Sequence, residues 1–210
     1  MSRSPRKSGV VKKTRSTDSR TRIADATIRE ILKKGVLGLR LGAVAKSANV
    51  SIPLIYKYYG SREGLIAEVL ASRIESDYLI DTAQIFTLHF RTDAKTYDAA
   101  KVFPFLPKPD EEWRSARRWL RLEAKAASRR IPLLRERLAR AMQKIEAENT
   151  RLIDEGRRAS GNKSPVPSAT LTWMFMAFAD GFTNRDILPD WITDDDYQQL
   201  IVSIMREHIF

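Results

Sequence analysis

No segment of this chain alternates apolar and polar residues, whereas the helical spacing of apolar residues recurs from about Asp18 to the last residue. A chain without strand periodicity must bury helix faces against one another, so the expected fold class is all-α. The longest apolar run, Leu171 to Ala179, has nine residues and is interrupted by Thr172. A membrane span needs about 20. The first residues carry Ser, Lys and Arg without an apolar block, unlike a secretory leader. The absence of Cys excludes disulfides, thiol catalysis and thiolate metal sites, and the chain reads as cytoplasmic.

Charge is unevenly placed. Residues 1–75 hold 16 basic and 6 acidic side chains, and residues 76–210 hold 21 and 20. Nearly all of the net +11 lies in the first third. A positive potential concentrated in this way suits a polyanion such as DNA, RNA or an anionic membrane surface; a solubilising tail is the alternative.

Residues 1–16 contain Pro5 and Gly9 among Ser, Lys and Arg and are expected to be a disordered basic arm. A first helix is expected from Asp18 to Lys34, with Ile23, Ala26, Thr27 and Ile31 on one face and Gly35 as its cap. Leu41, Val44, Ala45 and Ala48 mark a short second helix, closed by Asn49, which tolerates a left-handed conformation. Ser51 is placed to cap a short third helix carrying Pro53 in its first turn and ending at Gly60. Ser61 caps a fourth with Leu65, Ile66, Val69 and Leu70. Three prolines make Lys101 to Asp110 a loop. Helices are then expected over Glu111–Ser128, Pro132–Arg158, Ser168–Arg185 and Thr193–Ile209, the last capped by Thr193 with Asp194, Asp195 and Asp196 in its first turn.

The second helix, the Asn49 turn and the third helix form a helix-turn-helix, an arrangement that lays its second helix in the DNA major groove. Ile55 and Tyr59 are spaced to point inward. Ile52, Pro53, Leu54 and Lys57 are left on the outside, and apolar side chains there suit thymine methyl groups. A small contact patch between proteins is the alternative.

The span Ile23 to Leu70 resembles the DNA-binding domain of TetR-type transcriptional regulators. The resemblance runs through Ile23-x-x-Ala26-x-x-x-x-Ile31-x-x-x-Gly35, Leu41-x-x-Val44-Ala45, Val50-Ser51 and Ile55-Tyr56-x-Tyr58-Tyr59-x-Ser61-Arg62-Glu63-x-Leu65. It implies a head over residues 17–62 and a helical effector-binding and dimerisation domain over 63–210. It implies base reading by Ile52, Pro53, Leu54 and Lys57, and phosphate contacts by Arg40, Ser51, Tyr56, Tyr58 and Arg62. Tyr hydroxyls and Arg are sound phosphate ligands that fix register without reading sequence. For Tyr56, packing of a half-buried ring is the alternative. The chain departs from the family pattern at two places. Gly42 and Ala43 give the start of the second helix no long polar side chain, and Asn49 stands where Gly is commoner. Arg3, Arg6, Lys7, Lys12, Lys13 and Arg15 of the arm could enter a minor groove or attract DNA without specificity.

The helix expected from Ser168 is apolar on all sides. Leu171, Phe175, Phe178 and Phe182 form one stripe, and Trp173, Met174, Met176 and Ala177 fill the rest. Such a helix must be covered all round, and a second subunit is the simplest cover. The family implies a homodimer through the last two helices, whose paired heads recognise a palindromic operator. Phe103, Phe105, Trp113, Trp119, Met142 and Phe175 are candidates for an effector pocket, with Arg121 or Glu123 as anchors; ordinary core packing is the alternative. His89 and His208 are far apart without partners at ligand spacing, so no metal site, cofactor site or catalytic constellation is expected. The resulting expectation is a non-enzymatic DNA-binding regulator of the bacterial nucleoid. It would be a repressor released from double-stranded DNA by an unknown small-molecule effector. The rival is a nucleoid-associated or adaptor protein that binds DNA broadly and works through a protein partner.

Overall fold

The stripe expected on the first helix is the one the fold buries: Ile23, Ala26, Thr27 and Ile31 are all inaccessible to solvent. The computed structural model describes the backbone of residues 9–90 and 112–209, with side chains over 18–82 and 112–209, and the described residues are all-α. Helix α1 spans Gly9–Gly38. It starts ahead of Asp18 because nothing after Pro5 breaks a helix and Lys and Arg favour one. Residues 9–16 of the expected arm therefore have helical backbone, and residues 1–8, with Arg3, Arg6 and Lys7, lie outside the described residues. The regular helix is interrupted at Gly35, whose φ of 70° is open to a residue without a Cβ.

Helix α2 spans Leu41–Ala48, with Val44, Ala45 and Ala48 buried. Asn49 closes it in the left-handed conformation, φ 51° and ψ 55°, the one non-glycine residue with positive φ among those described. Helix α3 spans Ile52–Tyr59 with Pro53 in its first turn. Ser51 holds the N-cap position in extended geometry, but its side chain makes no capping bond, contrary to expectation. Pro53 carries no N–H, so the third-helix start has one donor fewer to satisfy. Ser61 does cap the next helix, its Oγ accepting the Gly64 N–H at 2.8 Å.

Helix α4, Arg62–Phe90, is the long strut of the molecule. Helices α5 (Glu112–Ser128), α6 (Pro132–Ser160) and α7 (Ser168–Gly181) follow, with the expected Lys101–Asp110 loop outside the described residues. The single helix expected over Ser168–Arg185 is divided at Phe182, and α8 spans Thr183–Ile187. Gly181 weakens the helix there, and the Thr183 hydroxyl donates to the Asp180 carbonyl at 2.8 Å. A 3₁₀ turn, Pro189–Trp191, leads to α9, Asp194–His208, whose N-cap Thr193 accepts the Asp196 N–H at 3.1 Å.

Helices α4 and α6 lie side by side in the same direction: Glu68 pairs with Arg137, and Glu75 with Lys144 at 3.0 Å, seven residues further on in both. One apolar core runs without interruption from Ile23 in the head through Ile55, Leu65 and Leu70 to Leu134 and Ile145. A second core of Leu152, Ile153, Leu171, Ile201, Met205 and Ile209 ties the far end of α6 to α7 and α9.

Two glycines separate a required residue from a permissive one. A Cβ on Gly64 would lie 2.0 Å from the Tyr59 carbonyl oxygen, so α3 can return onto α4 only if residue 64 has no side chain. A Cβ on Gly42 would meet nothing within 4 Å. Gly64→Ala is expected to lower unfolding stability in urea by about 1–3 kcal/mol. Gly42→Ala, in an open helical position, should raise it by about 0.5–1 kcal/mol.

Candidate nucleic-acid interface and effector cavity

On α3, eight residues leave little choice of face. Ile55 is fully buried and anchors the helix to the core, with Tyr58 and Tyr59 partly buried beside it. Ile52, Tyr56, Pro53 and Lys57 then fall in that angular order over an arc of about 140°. All four are exposed, Ile52 to 39% and Tyr56 to 47%. This arc is mixed: two apolar side chains, a phenol and an ammonium. It can offer apolar contact, a hydrogen bond and a positive charge to base edges and phosphates.

The structure distributes the expected contact residues unequally. Ile52, Pro53 and Lys57 share the exposed face, but Leu54 sits at its margin and is partly buried. Tyr56, read as a phosphate ligand, stands in the middle of the arc among the base-reading positions. Ser51 and Arg40 are exposed at the starts of α3 and α2. The Tyr58 ring lies edge-on to Tyr59 at 6.5 Å, with the Arg20 guanidinium 5.0 Å from its centroid. The Tyr59 hydroxyl donates to the Arg20 carbonyl at 3.4 Å, and burial raises its pKa.

Arg62 departs from the expected phosphate role. Its Nε donates to the Leu39 carbonyl at 3.1 Å, and its Nη2 to those of Val36 at 2.8 Å and Leu37 at 3.3 Å. The guanidinium thus caps the turn between α1 and α2. Glu123 holds the same turn from the other side, accepting the Val36 N–H at 3.1 Å. It is therefore a bridge to the head and not a pocket anchor. Neither role was legible locally, because the partners lie 26 and 87 residues away.

A cavity of about 210 Å³ opens between α4, α5, α6, α7 and α9. Of the expected lining residues, Phe175 lines it, and so does the expected anchor Arg121. Trp113, Trp119 and Met142 do not. Trp113 is exposed, with the guanidiniums of Arg114 and Arg117 at 4.1 and 4.3 Å from its ring; Trp119 is exposed; Met142 packs on the main core. Phe103 and Phe105 lie outside the described residues.

Apart from Arg121, sequence reading missed the row Arg114, Arg117, Arg118 and Arg121, all four lining the cavity. Their i, i+3, i+4, i+7 spacing puts them on one face of α5, a signal visible in the sequence but ordinarily read as a solvated stripe. Each is held by carboxylates. Arg114 pairs with Asp81 at 3.8 Å, and Arg117 with Asp77 at 3.3 Å and Asp81 at 3.1 Å. Arg118 pairs with Asp186 at 3.1 Å, and Arg121 with Asp180 at 3.2 Å. Burial raises the Asp81 pKa against the pull of Arg114 and Arg117. Burial also pushes Tyr78 and Tyr197, both on the cavity wall, up to about 12, so their hydroxyls are neutral at physiological pH. The opposite wall is apolar: Ile153, Phe175, Met176, Phe178, Phe182, Ile201 and Met205.

Among the described residues no three His, Asp or Glu side chains are grouped to hold a metal ion, and no helix is long and apolar enough to cross a membrane. The family model for bacterial regulatory proteins of the tetR family matches residues 23–69, which is the span from the α1 stripe to the first turns of α4. No curated protein matches the chain. Solved structures share the fold over nearly the whole length. A protein described as a TetR-family transcriptional regulator from a Rhodococcus species is 19% identical, with a TM-score of 0.70, covering 92% of this chain and 100% of that one. A transcriptional regulator from Saccharomonospora viridis, in complex with choline, gives 19% and 0.66, covering 92% and 98%. FadR of Bacillus subtilis, in complex with stearoyl-CoA, gives 14% and 0.56, covering 90% and 99%.

The cation on α3 and the cation that follows it, Lys57 and Arg62, differ in what they hold, and their variants should separate. Arg62→Ala removes a charged donor from three carbonyls and is expected to cost about 1.5–3 kcal/mol of stability, read by urea denaturation. Lys57→Ala should leave stability within about 0.5 kcal/mol, as an exposed side chain without a structural partner.

Proposed function

With a tetR-family helix-turn-helix head on that family's all-α fold as premise, we propose that the protein is a homodimeric transcriptional repressor. It reads a palindromic operator through α3 and leaves it when a small molecule enters the cavity beside α5. The exposed arc of Ile52, Tyr56, Pro53 and Lys57, opposite the buried Ile55, is the observation that carries this reading. The placement of nearly all the excess positive charge in residues 1–75 supports it. Base contacts fall to the α3 arc, with Leu54 at its edge. Phosphate contacts fall to Arg40, Ser51 and Tyr58, the Arg62 guanidinium being engaged within the head.

The dimer rests on the apolar surface left open on the last helices. Trp173 is 71% exposed on α7, and Leu200 is exposed on α9. Ile187, Leu188 and Trp191 between them are exposed as well. Large apolar side chains left open to water on the last helices suit a second copy of the chain. Two heads so joined would contact successive turns of the duplex. The complexes of two fold neighbours with choline and stearoyl-CoA support an effector role for the cavity. Release then follows from population shift: the effector binds more tightly to the dimer whose α3 spacing does not fit DNA, and operator DNA weakens the effector by the same factor.

Selection of the full-length protein on a randomised duplex pool at physiological salt tests the reading. An enriched palindrome, bound about 10³-fold or more over random DNA, is the expected result. Recovery of the pool without a motif would leave charge-driven binding, the behaviour of a nucleoid-associated protein. Lys57→Ala should relax preference at one base step by about 1–3 kcal/mol. Trp173→Glu should yield a monomer in sedimentation and lose the palindrome while keeping its fold.

A further inference from the structure

The cavity carries two buried polar atoms without a hydrogen-bond partner, the Tyr78 hydroxyl and Asn149 Oδ1, and both residues line it. Buried polar groups are ordinarily paired, so two orphans on residues of one cavity wall call for a polar ligand group. Tyr78 is 9% exposed, and the Arg121 guanidinium carbon lies 5.0 Å from its ring centroid, so the hydroxyl and the arginine belong to one site. Arg117 and Arg121 are one turn apart on α5. Arg117 reaches Asp77 and Asp81 through Nε and Nη1; Arg121 reaches Asp180 and the Ala179 carbonyl through Nε and Nη2. Among the described residues Nη2 of Arg117 and Nη1 of Arg121 are not engaged by these bonds, although a guanidinium has five N–H donors.

The sign of the charge on the wall follows from which groups face it. Four guanidiniums line the cavity against one carboxylate, Asp81. Asp77, Asp180 and Asp186 hold the arginines but do not line it. Two of the aromatic rings of the wall already carry guanidiniums, Arg121 on Tyr78 and Arg118 6.0 Å from the Phe182 centroid, which disfavours a cationic ligand beside them. Asp81 on the wall and Asp77, Asp180 and Asp186 behind it offset the positive row, so the site offers unengaged N–H donors more than excess charge, which suits a single negative charge better than a dianion.

We infer that the cavity takes an organic monoanion, a carboxylate on an apolar body, with its head on Arg117, Arg121 and the Tyr78 hydroxyl and its body against Phe175, Phe178 and Met205. This rests on the reading of the cavity as the effector site. Arginine and carboxylate match in planar geometry, and a charge-assisted bond is stronger than one between neutral groups. The donors are in place before the ligand arrives, because the carboxylates behind the row fix each arginine.

Calorimetric titration of the full-length protein with 4-phenylbutyrate, 4-phenylbutanamide and 4-phenylbutylamine varies the head group on one body. The carboxylate is expected to bind at least about tenfold more tightly than the amide, with the ammonium weaker still. Arg121→Gln should abolish that preference. Because Asp180 would lose its partner in that variant, Tyr78→Phe gives the second reading. It removes a hydroxyl that has no partner in the unliganded protein, so it should raise the unliganded Tm while weakening 4-phenylbutyrate by about five- to tenfold. Equal or tighter binding of the amide or the ammonium would overturn the head-group assignment and leave the effector cavity standing. If none of the three bound, both the assignment and the effector reading would fall, whereas the operator selection judges the DNA reading independently.

Discussion

The turn between α1 and α2 is where the architecture is held. Its carbonyls at Val36, Leu37 and Leu39 are gathered by one guanidinium, Arg62, from the first residue of α4. Its Val36 N–H is taken by Glu123 from α5. A four-residue turn is thereby satisfied from two helices that belong to the rest of the molecule. Because α2 begins immediately after this turn, and α3 follows through the Asn49 bend, the direction of the exposed α3 arc depends on it. Gly64 sets the remaining restraint, since only a residue without a side chain lets Tyr59 close onto α4.

The same helix that supplies Glu123 supplies the arginine row. Burying two guanidiniums, Arg118 and Arg121, and half-burying Arg114 and Arg117 is costly unless each is paired and hydrogen-bonded. Here the partners come from α4 (Asp77, Asp81) and from the α7–α8 corner (Asp180, Asp186), so α5 is locked on both sides by charge. Helix α5 thus has one end against the head and a row of its side chains on the cavity wall. Under the proposed function this makes α5, together with α4, the shortest material connection between effector and DNA-reading surface. A ligand that changes which carboxylate an arginine faces acts on a helix that also touches Val36.

Much of the head was legible in the sequence because its determinants are local. The left-handed Asn49, Pro53 in the first turn of α3, the positive φ of Gly60 and the cap at Ser61 each act within a few residues. The faces of α1 and α3 followed from periodicity alone, as the burial of Ile23, Ile31 and Ile55 shows. What was misread depended on partners far along the chain. Arg62 looked like a surface cation because Val36 is 26 residues away, and Glu123 looked like a pocket anchor because its partner is 87 residues away. Trp113 and Trp119 were read as cavity lining from their size, yet the face of α5 turned to the cavity carries arginines. Periodicity identifies a face, but it does not say whether carboxylates elsewhere will allow a charged face to be buried. The break at Phe182 escaped for a related reason: the side chains on either side continue the apolar pattern while the backbone turns.

The central claim is that the exposed arc of α3 meets the bases. Photocrosslinking locates that contact directly, with a photoreactive benzoylphenylalanine in place of Tyr56 at the middle of the arc and, as control, in place of the exposed Ile80 on α4. The account predicts a DNA adduct from position 56 mapped to bases of the major groove, and none from position 80. An adduct from position 80 with none from position 56 would contradict it, because the surface facing DNA would then not be that of α3.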